Sequence, residues 1–336
     1  MSNEATIRGA SGALELQKPG SDTTEGAWRR PDARRILQLL LATFWLLDGL
    51  LQLQSFFFTK SFGLQMISGM SSGNPSVIAR PIHWSATAIG HHAVLTDSLF
   101  ALAQIAIALA IAWRPTVKIG LGASIAWSIG VWWIGEGLGG VLNGTANPVD
   151  GAPGAVIIYA LLAVLLWPRR EGRHAPFIAA RSVGVPIAEG LWLILWGSLA
   201  FFALLGTNRS SQHLHDLIYG EVVGEPGWLA SLDRHVASMV DHRGMTVSVV
   251  LAAALLIVAI GPYLPLPFAN ATVVLAALIG AVFWLVGENL GALLTNGATD
   301  MNSGPLLVLL AAAYWRWPER LDPATTTEPV LMLEEA

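Results

Sequence analysis

"WWIGEGLGGVLNGTANPVDGAPG", Trp132 to Gly154, places Glu136 between two glycines inside a stretch that otherwise reads as membrane helix. "FWLVGENLGALLTNGATDMNSGP", Phe283 to Pro305, repeats the pattern with Glu288 in the equivalent place. A charged side chain at the centre of a membrane helix costs about 2.5–3.5 kcal/mol on insertion scales, so such a residue is read first as functional. Each glutamate lies in a Gly-x-x-x-Gly frame, Gly135 with Gly139 and Gly287 with Gly291, a spacing that lets helix backbones approach closely. In one continuous helix, Glu136 shares a face with Gly139 and Gly140 and looks toward a packed interface rather than lipid. A rise of about 1.5 Å per residue from Lys118 puts Glu136 roughly 27 Å up, in the outer third of the bilayer, with Glu288 at the same level. Two roles stay open: a hydrogen bond to a neighbouring helix or to the broken loop that follows, or contact with a ligand, proton or cofactor.

Composition sets the class. Of 336 residues, 54% are hydrophobic and 12% charged, against about a quarter charged in a soluble domain. With a mean hydropathy of +0.56 this is an integral membrane protein, with the lipid bilayer as its first partner. The absence of cysteine removes disulfides, thiolate metal sites and iron–sulfur clusters. No basic patch with interleaved aromatics points to nucleic acid. Residues 1–28 are polar and predict a disordered cytoplasmic tail, as do residues 321–336. Arg29-Arg30 and Arg34-Arg35 look like the start of an export signal, but the apolar run after them is too long and lacks a cleavage site, which predicts a retained anchor.

Apolar runs near the length a bilayer requires, about 20 residues per helix, fall at 36–58, 93–113, 119–141, 153–168, 186–206, 245–262, 271–294 and 304–317. The fold expected is therefore all-α, a polytopic membrane protein with eight transmembrane helices. Lys and Arg concentrate in the tails and in the loops around Arg114, Lys118, Arg169, Arg181 and Arg316, and thin out in the long loops 59–92 and 207–244. The positive-inside rule then places both termini in the cytoplasm, as in a bacterial inner (plasma) membrane protein, with the long loops outside.

The halves align with each other. Trp45 matches Trp196, Pro75 matches Pro226 and His91 matches His242 at an offset of 151, while Glu136 matches Glu288 and Pro153 matches Pro305 at 152. Trp167-Pro168 matches Trp317-Pro318. This predicts an internal duplication, with four-helix repeats over 29–170 and 171–320. An even number of spans per repeat gives the two copies one orientation, so they are parallel.

The outer segments hold most of the remaining chemistry. "NPSVIARPIHWSATAIGHHAVL" and "EPGWLASLDRHVASMVDHRGM" predict amphipathic helices on the outer surface, with Trp84 and Trp228 at the interface and His83 or His235 over the glutamate site. His91 and His242 stand at the outer ends of their helices, and Asp97 lies less than two turns into the next span. His213 and His215, with His83, His235, Met66 and Met70, combine imidazole and thioether in a way that suits copper. Asp48, near mid-bilayer, has Leu199 as its counterpart; with Gln52 and Gln54 nearby it is read either as a proton or quinone group or as an interhelical hydrogen-bond acceptor.

A unit opening with "RRILQLLLATFWLLDGLLQLQ" and continuing through an outer amphipathic segment to "LFALAQIAIALAIAWRPTVKIGLG" resembles the DoxX/DoxD-like group of small bacterial membrane proteins. The resemblance covers each half once and implies a tandem fusion of two four-helix units. Some members are associated with quinone-linked oxidation of sulfur compounds, so the resemblance implies a quinone as ligand. Gln52 and Gln54 stand where that group usually carries a basic residue. Three readings follow. In the first, His91, Asp97, Glu136, His242 and Glu288 form an outer-leaflet site for a quinone or similar small ligand. In the second, the outer Met and His residues collect copper, or a proton, and the glutamates with Asp48 relay it inward. In the third, the Gly-x-x-x-Gly faces bind partner subunits of a larger membrane complex, or a second copy.

Overall fold

The computed structural model describes residues 32–169, 175–295 and 297–317, so the expected tails lie outside the described residues. Among the described residues the protein is all-helical, with no strand. The first half holds α1 (Ala33–Leu51), α2 (Ser76–His91), α3 (Ala93–Ala112), α4 (Val117–Ile134) and α5 (Ala155–Leu165). After the single-turn α6 (Ala180–Val183) come α7 (Val185–Ala203), α8 (His213–Glu221), α9 (Gly227–Val240), α10 (Gly244–Ala259), α11 (Leu266–Val282) and α12 (Ser303–Ala313).

Five helical segments are long and apolar enough to cross a membrane: Ala93–Ala112, Arg114–Ile134, Val185–Ala203, Gly244–Tyr263 and Leu266–Gly287. The other three expected spans differ for readable reasons. α1 has the length but carries Arg34, Arg35 and Asp48, and α5 and α12 have only 11 residues each. Eleven residues rise about 16 Å, roughly half of a hydrocarbon core. Two of the expected spans also stop early, at Ile134 instead of 141 and at Gly287 instead of 294, the latter after a π-helical turn, Phe283–Gly287, that continues α11.

Proline and glycine set the boundaries. Pro75 and Pro226, with φ near −55°, open α2 and α9, because proline has no N–H to lose at a helix start. α5 and α12 begin at Ala155 and Ser303, an offset of 148, so Pro153 precedes its helix whereas Pro305 lies inside the first turn of its own. The sequence matches of Pro153 with Pro305 and of Trp167 with Trp317 are therefore not at the offset that separates these two helix starts.

One apolar core runs through both halves, from Leu41 and Trp45 of α1 to Leu310 and Tyr314 at the end of α12. α1 packs chiefly on α3 and α7 on α10, while α5 and α12 meet each other between them. Trp45 lies 4.4 Å from Tyr159, and Trp192 lies 4.4 Å from Tyr314, by ring centroids. Both indole N–H groups are satisfied, Trp45 by Ser124 Oγ at 3.0 Å and Trp192 by the Val258 carbonyl at 2.7 Å, as a buried donor requires. A smaller cluster of Phe57, Phe62, Ile67, Ile82, Ala86 and Ile89 seats α2 on the bundle.

Candidate functional site

The glutamates are not inside helices. α4 ends at Ile134, and the chain turns through Gly137–Gly140 with Leu138 and Gly139 in the left-handed region at φ 60° and 59°. Asn289–Ala292 repeats the turn, with Leu290 and Gly291 at φ 54° and 69°. A bulky residue at positive φ is uncommon, so the surrounding packing holds this backbone. The expected Gly-x-x-x-Gly helix contact is corrected accordingly. A Cβ on Gly139 would collide with the Pro153 carbonyl, and one on Gly291 would meet the Met301 backbone at 3.0 Å. These two glycines let each loop fold back on itself.

The carboxylates then reach the start of the next helix. Val156 N–H donates to Glu136 Oε1 at 3.2 Å. Gly304 N–H donates to Glu288 Oε2 at 2.9 Å, and the Ser303 hydroxyl donates to Glu288 Oε1. The first N–H groups of a helix have no partner within it, and its dipole favours a negative charge there. Each glutamate supplies both to a short helix that begins in the protein interior. Glu288 is buried with both oxygens bonded. Glu136 keeps Oε2 against Gly154 without a donor in hydrogen-bond geometry.

The loops cross between the halves. Gln54, beyond α1, donates to the Ala298 carbonyl at 3.1 Å, and Asn208, beyond α7, donates to the Ala146 carbonyl at 2.8 Å. Gly151 lies against Asn302 and Glu288, where a Cβ would meet Asn302 Oδ1 at 2.9 Å. Asp300 is thereby delivered from the second half to the first. Its Oδ1 accepts from Asn302 N–H at 2.6 Å and its Oδ2 from Thr299 Oγ1 at 3.0 Å.

There Asp300 meets Asp48 and Glu136 on the wall of a cavity of about 450 Å³, within the usual 300–1,000 Å³ of small-ligand sites. Trp45, Phe62, Trp84, Phe100 and Trp127 provide aromatic wall, and Gln52 and Gln104 add amides. Phe100 and Trp127 meet edge to face at 5.6 Å. Asp48 Oδ2 accepts from the Tyr159 hydroxyl at 2.5 Å. Asp48 Oδ1, Gln52 Oε1, Gln104 Oε1 and Glu136 Oε2 lack a donor in hydrogen-bond geometry. Gln52 and Gln104 thus present an unused amide oxygen at one apolar cavity, while the carboxylates of Asp48 and Glu136 also lie close to the backbone N–H groups of Met301 and Ala155.

The other sequence candidates lie elsewhere. His91 is exposed, with Nδ1 2.8 Å from the Thr87 carbonyl of its own helix. His242 is exposed at φ 56°, beside Gln212 at 3.1 Å and Asp241 at 3.7 Å. Neither histidine lines the cavity, so the expected meeting of His with Glu does not occur there. Asp97 is fully buried with neither oxygen bonded, and it too is absent from the cavity wall. His83 sits between Ser68 and Ser71, at 3.3 and 3.0 Å, and His235 is exposed on α9. His213 opens α8, and His215 pairs with Asp216 at 2.9 Å and stacks on Tyr219. Met66 lines the cavity, while the Met70 carbonyl accepts from Asn74 at 3.0 Å. Among the described residues, no group of three or more His, Asp or Glu side chains is placed to hold a metal ion. Sequence reasoning missed Gln104, Tyr159 and Asp300; Gln104 and Tyr159 are polar groups within apolar runs, and Asp300 lies between two of them.

The fold and site define an all-helical protein with membrane-length helices and a carboxyl-bearing apolar cavity. No family model, curated protein or solved structure matches the chain.

Proposed function

We propose that this is a multi-pass protein of the bacterial plasma membrane that binds a quinone, or a similar ring-headed molecule with an apolar tail, in the cavity between α1, α3 and α4. The observation that carries the reading is the set of carboxylate and amide acceptors of Asp48, Gln52, Gln104 and Glu136 that line one cavity with aromatic walls. A flat ring stacks on indole and phenyl faces. Its hydroxyls, in the reduced form, donate to those acceptors. In the oxidised form a protonated carboxyl donates to the ring carbonyl instead, which suits a site that exchanges protons with its ligand.

The two halves differ in a way that fits one working site. At the offset of 151, Leu199, Ala203 and Leu255 stand where the first half has Asp48, Gln52 and Gln104. On this reading the chain is a tandem pair of DoxX-like four-helix units with both termini cytoplasmic. The first unit holds the ligand and the second supplies Asp300 and packing. α1, α5 and α12 complete eight crossings, the short helices being continued by loop backbone. Non-helical backbone is tolerated at membrane depth where it is buried in protein, and the bonds to Glu136, Glu288, Gln54 and Asn208 satisfy it here.

The test is quenching of tryptophan fluorescence by decylubiquinone and its quinol in lipid nanodiscs. Saturable quenching that weakens at least tenfold in Asp48→Asn and in Glu136→Gln supports the reading. Absence of saturable quenching in the parent protein overturns it.

A further inference from the structure

We propose that the cavity opens sideways into the bilayer through a window on α4 framed by Ala126 and Gly130, so that its ligand is drawn from the membrane and not from water. This rests on the ligand reading above for the identity of the traffic, though the window itself is a matter of geometry. Ala126 and Gly130 lie four residues apart and share a face of the helix. Both line the cavity and both are exposed. Trp84 of α2, 75% exposed, lines the same opening from the other side.

The small residues are there for space, not for close helix packing. A Cβ on Gly130 would meet nothing within 4 Å, whereas one on Gly120 of the same helix would strike the Ile111 backbone at 2.6 Å. Gly120 is a contact glycine and Gly130 leaves a gap. The surface around the gap is apolar, with Ile129 and Trp133 exposed on α4 and Leu95, Leu99 and Leu102 exposed on α3. Gly130 is sixteen residues into the membrane-length segment Arg114–Ile134, about 24 Å along it. That depth puts the opening in the outer part of the hydrocarbon, below the interfacial level suited to Trp84.

The second half supports the assignment by contrast. At the offset of 152 that relates Glu136 to Glu288, Leu278 and Val282 stand in place of Ala126 and Gly130, and both are exposed. The half without the polar wall carries bulky residues at the window positions.

The absence of cysteine makes a direct test clean. A bimane fluorophore attached to the thiol of a Gln104→Cys variant reports from inside the cavity, in nanodiscs of ordinary or acyl-chain-brominated phosphatidylcholine. The expected result is quenching by the brominated lipid and not by aqueous iodide. Adding the pair Ala126→Leu and Gly130→Val, which carries the second half's residues, should reduce lipid quenching at least threefold. Quenching by iodide alone, lipid quenching that survives the added pair, or failure of lipophilic bimane to label the introduced thiol each overturns the window. Because no quinone enters this assay, its failure is separate from failure of the ligand reading. Where decylubiquinone does bind, the Ala126→Leu and Gly130→Val pair should slow association by tenfold or more; an unchanged association rate would also overturn it.

Discussion

Asp48 of α1 accepts a 2.5 Å hydrogen bond from the Tyr159 hydroxyl of α5, 111 residues along the chain, with both side chains buried. It ties the first helix of the bundle to the short helix that ends the same half, and it holds Asp48 on the cavity wall.

Tyr159→Phe keeps the ring packed on Trp45 and removes only the hydroxyl. Leaving a buried acceptor without its donor costs about 1–3 kcal/mol. Thermal unfolding followed by circular dichroism should show a lower midpoint. A midpoint equal to that of the parent would mean that Asp48 does not depend on this bond.

The two glutamates should separate on substitution. Glu288→Ala strips the start of α12 of two bonds and should destabilise by about 2 kcal/mol or more, from two net bonds of about 1 kcal/mol each. Glu136→Gln keeps an acceptor for Val156 and should change stability little while weakening ligand quenching. Equal stability losses in the two variants would contradict the division of roles.

Gly139→Ala and Gly291→Ala force a Cβ into left-handed backbone, at about 1–2 kcal/mol each, and against the Pro153 and Met301 backbones. Gly130→Ala meets open space on a regular helix and should be neutral or slightly stabilising. A melt series on the three variants orders them, and similar midpoints for all three would remove the case for loop-specific glycines.

The acidic pair Glu225 and Asp233, outside the membrane-length segments, predicts a pH dependence. Burial, and then the neighbouring Asp233, push Glu225 up to about 7; burial, and then the charge of Glu221, raise Asp233. Unfolded carboxyls titrate near 4, so the folded protein holds more protons between about pH 4 and 7 and stability falls as pH rises through that window. The midpoint should be higher at pH 5 than at pH 8, and Asp233→Asn should flatten the difference. An unchanged slope in that variant would assign the dependence to other groups.

Much of the helix layout was legible. The runs expected at 93–113, 186–206 and 245–262 correspond to α3, α7 and α10 within a few residues, because long uninterrupted apolar stretches leave no competing structure. The ends of α4 and α11 were not legible. The hydropathy pattern continues through both turns, so nothing in it marks Leu138 and Leu290 as left-handed or shows that the returning loop leaves no room for a Cβ at Gly139 and Gly291.

The candidate site divides in the same way. Glu136, Glu288 and Asp48 stand out in the sequence because ionisable groups within apolar runs are rare. Their partners do not, since Asp48 meets Tyr159, Gln54 meets Ala298 and Asp300 meets the first-half cavity only through the crossing of the loops. Composition and hydropathy by themselves determined an all-helical chain with membrane-length helices and two matching carboxylates. Tertiary structure decided that both carboxylates meet a helix start, and that only Glu136 also lines the cavity. Burial cost is written in residue type, whereas the satisfaction of a buried group depends on which distant backbone the fold brings to it.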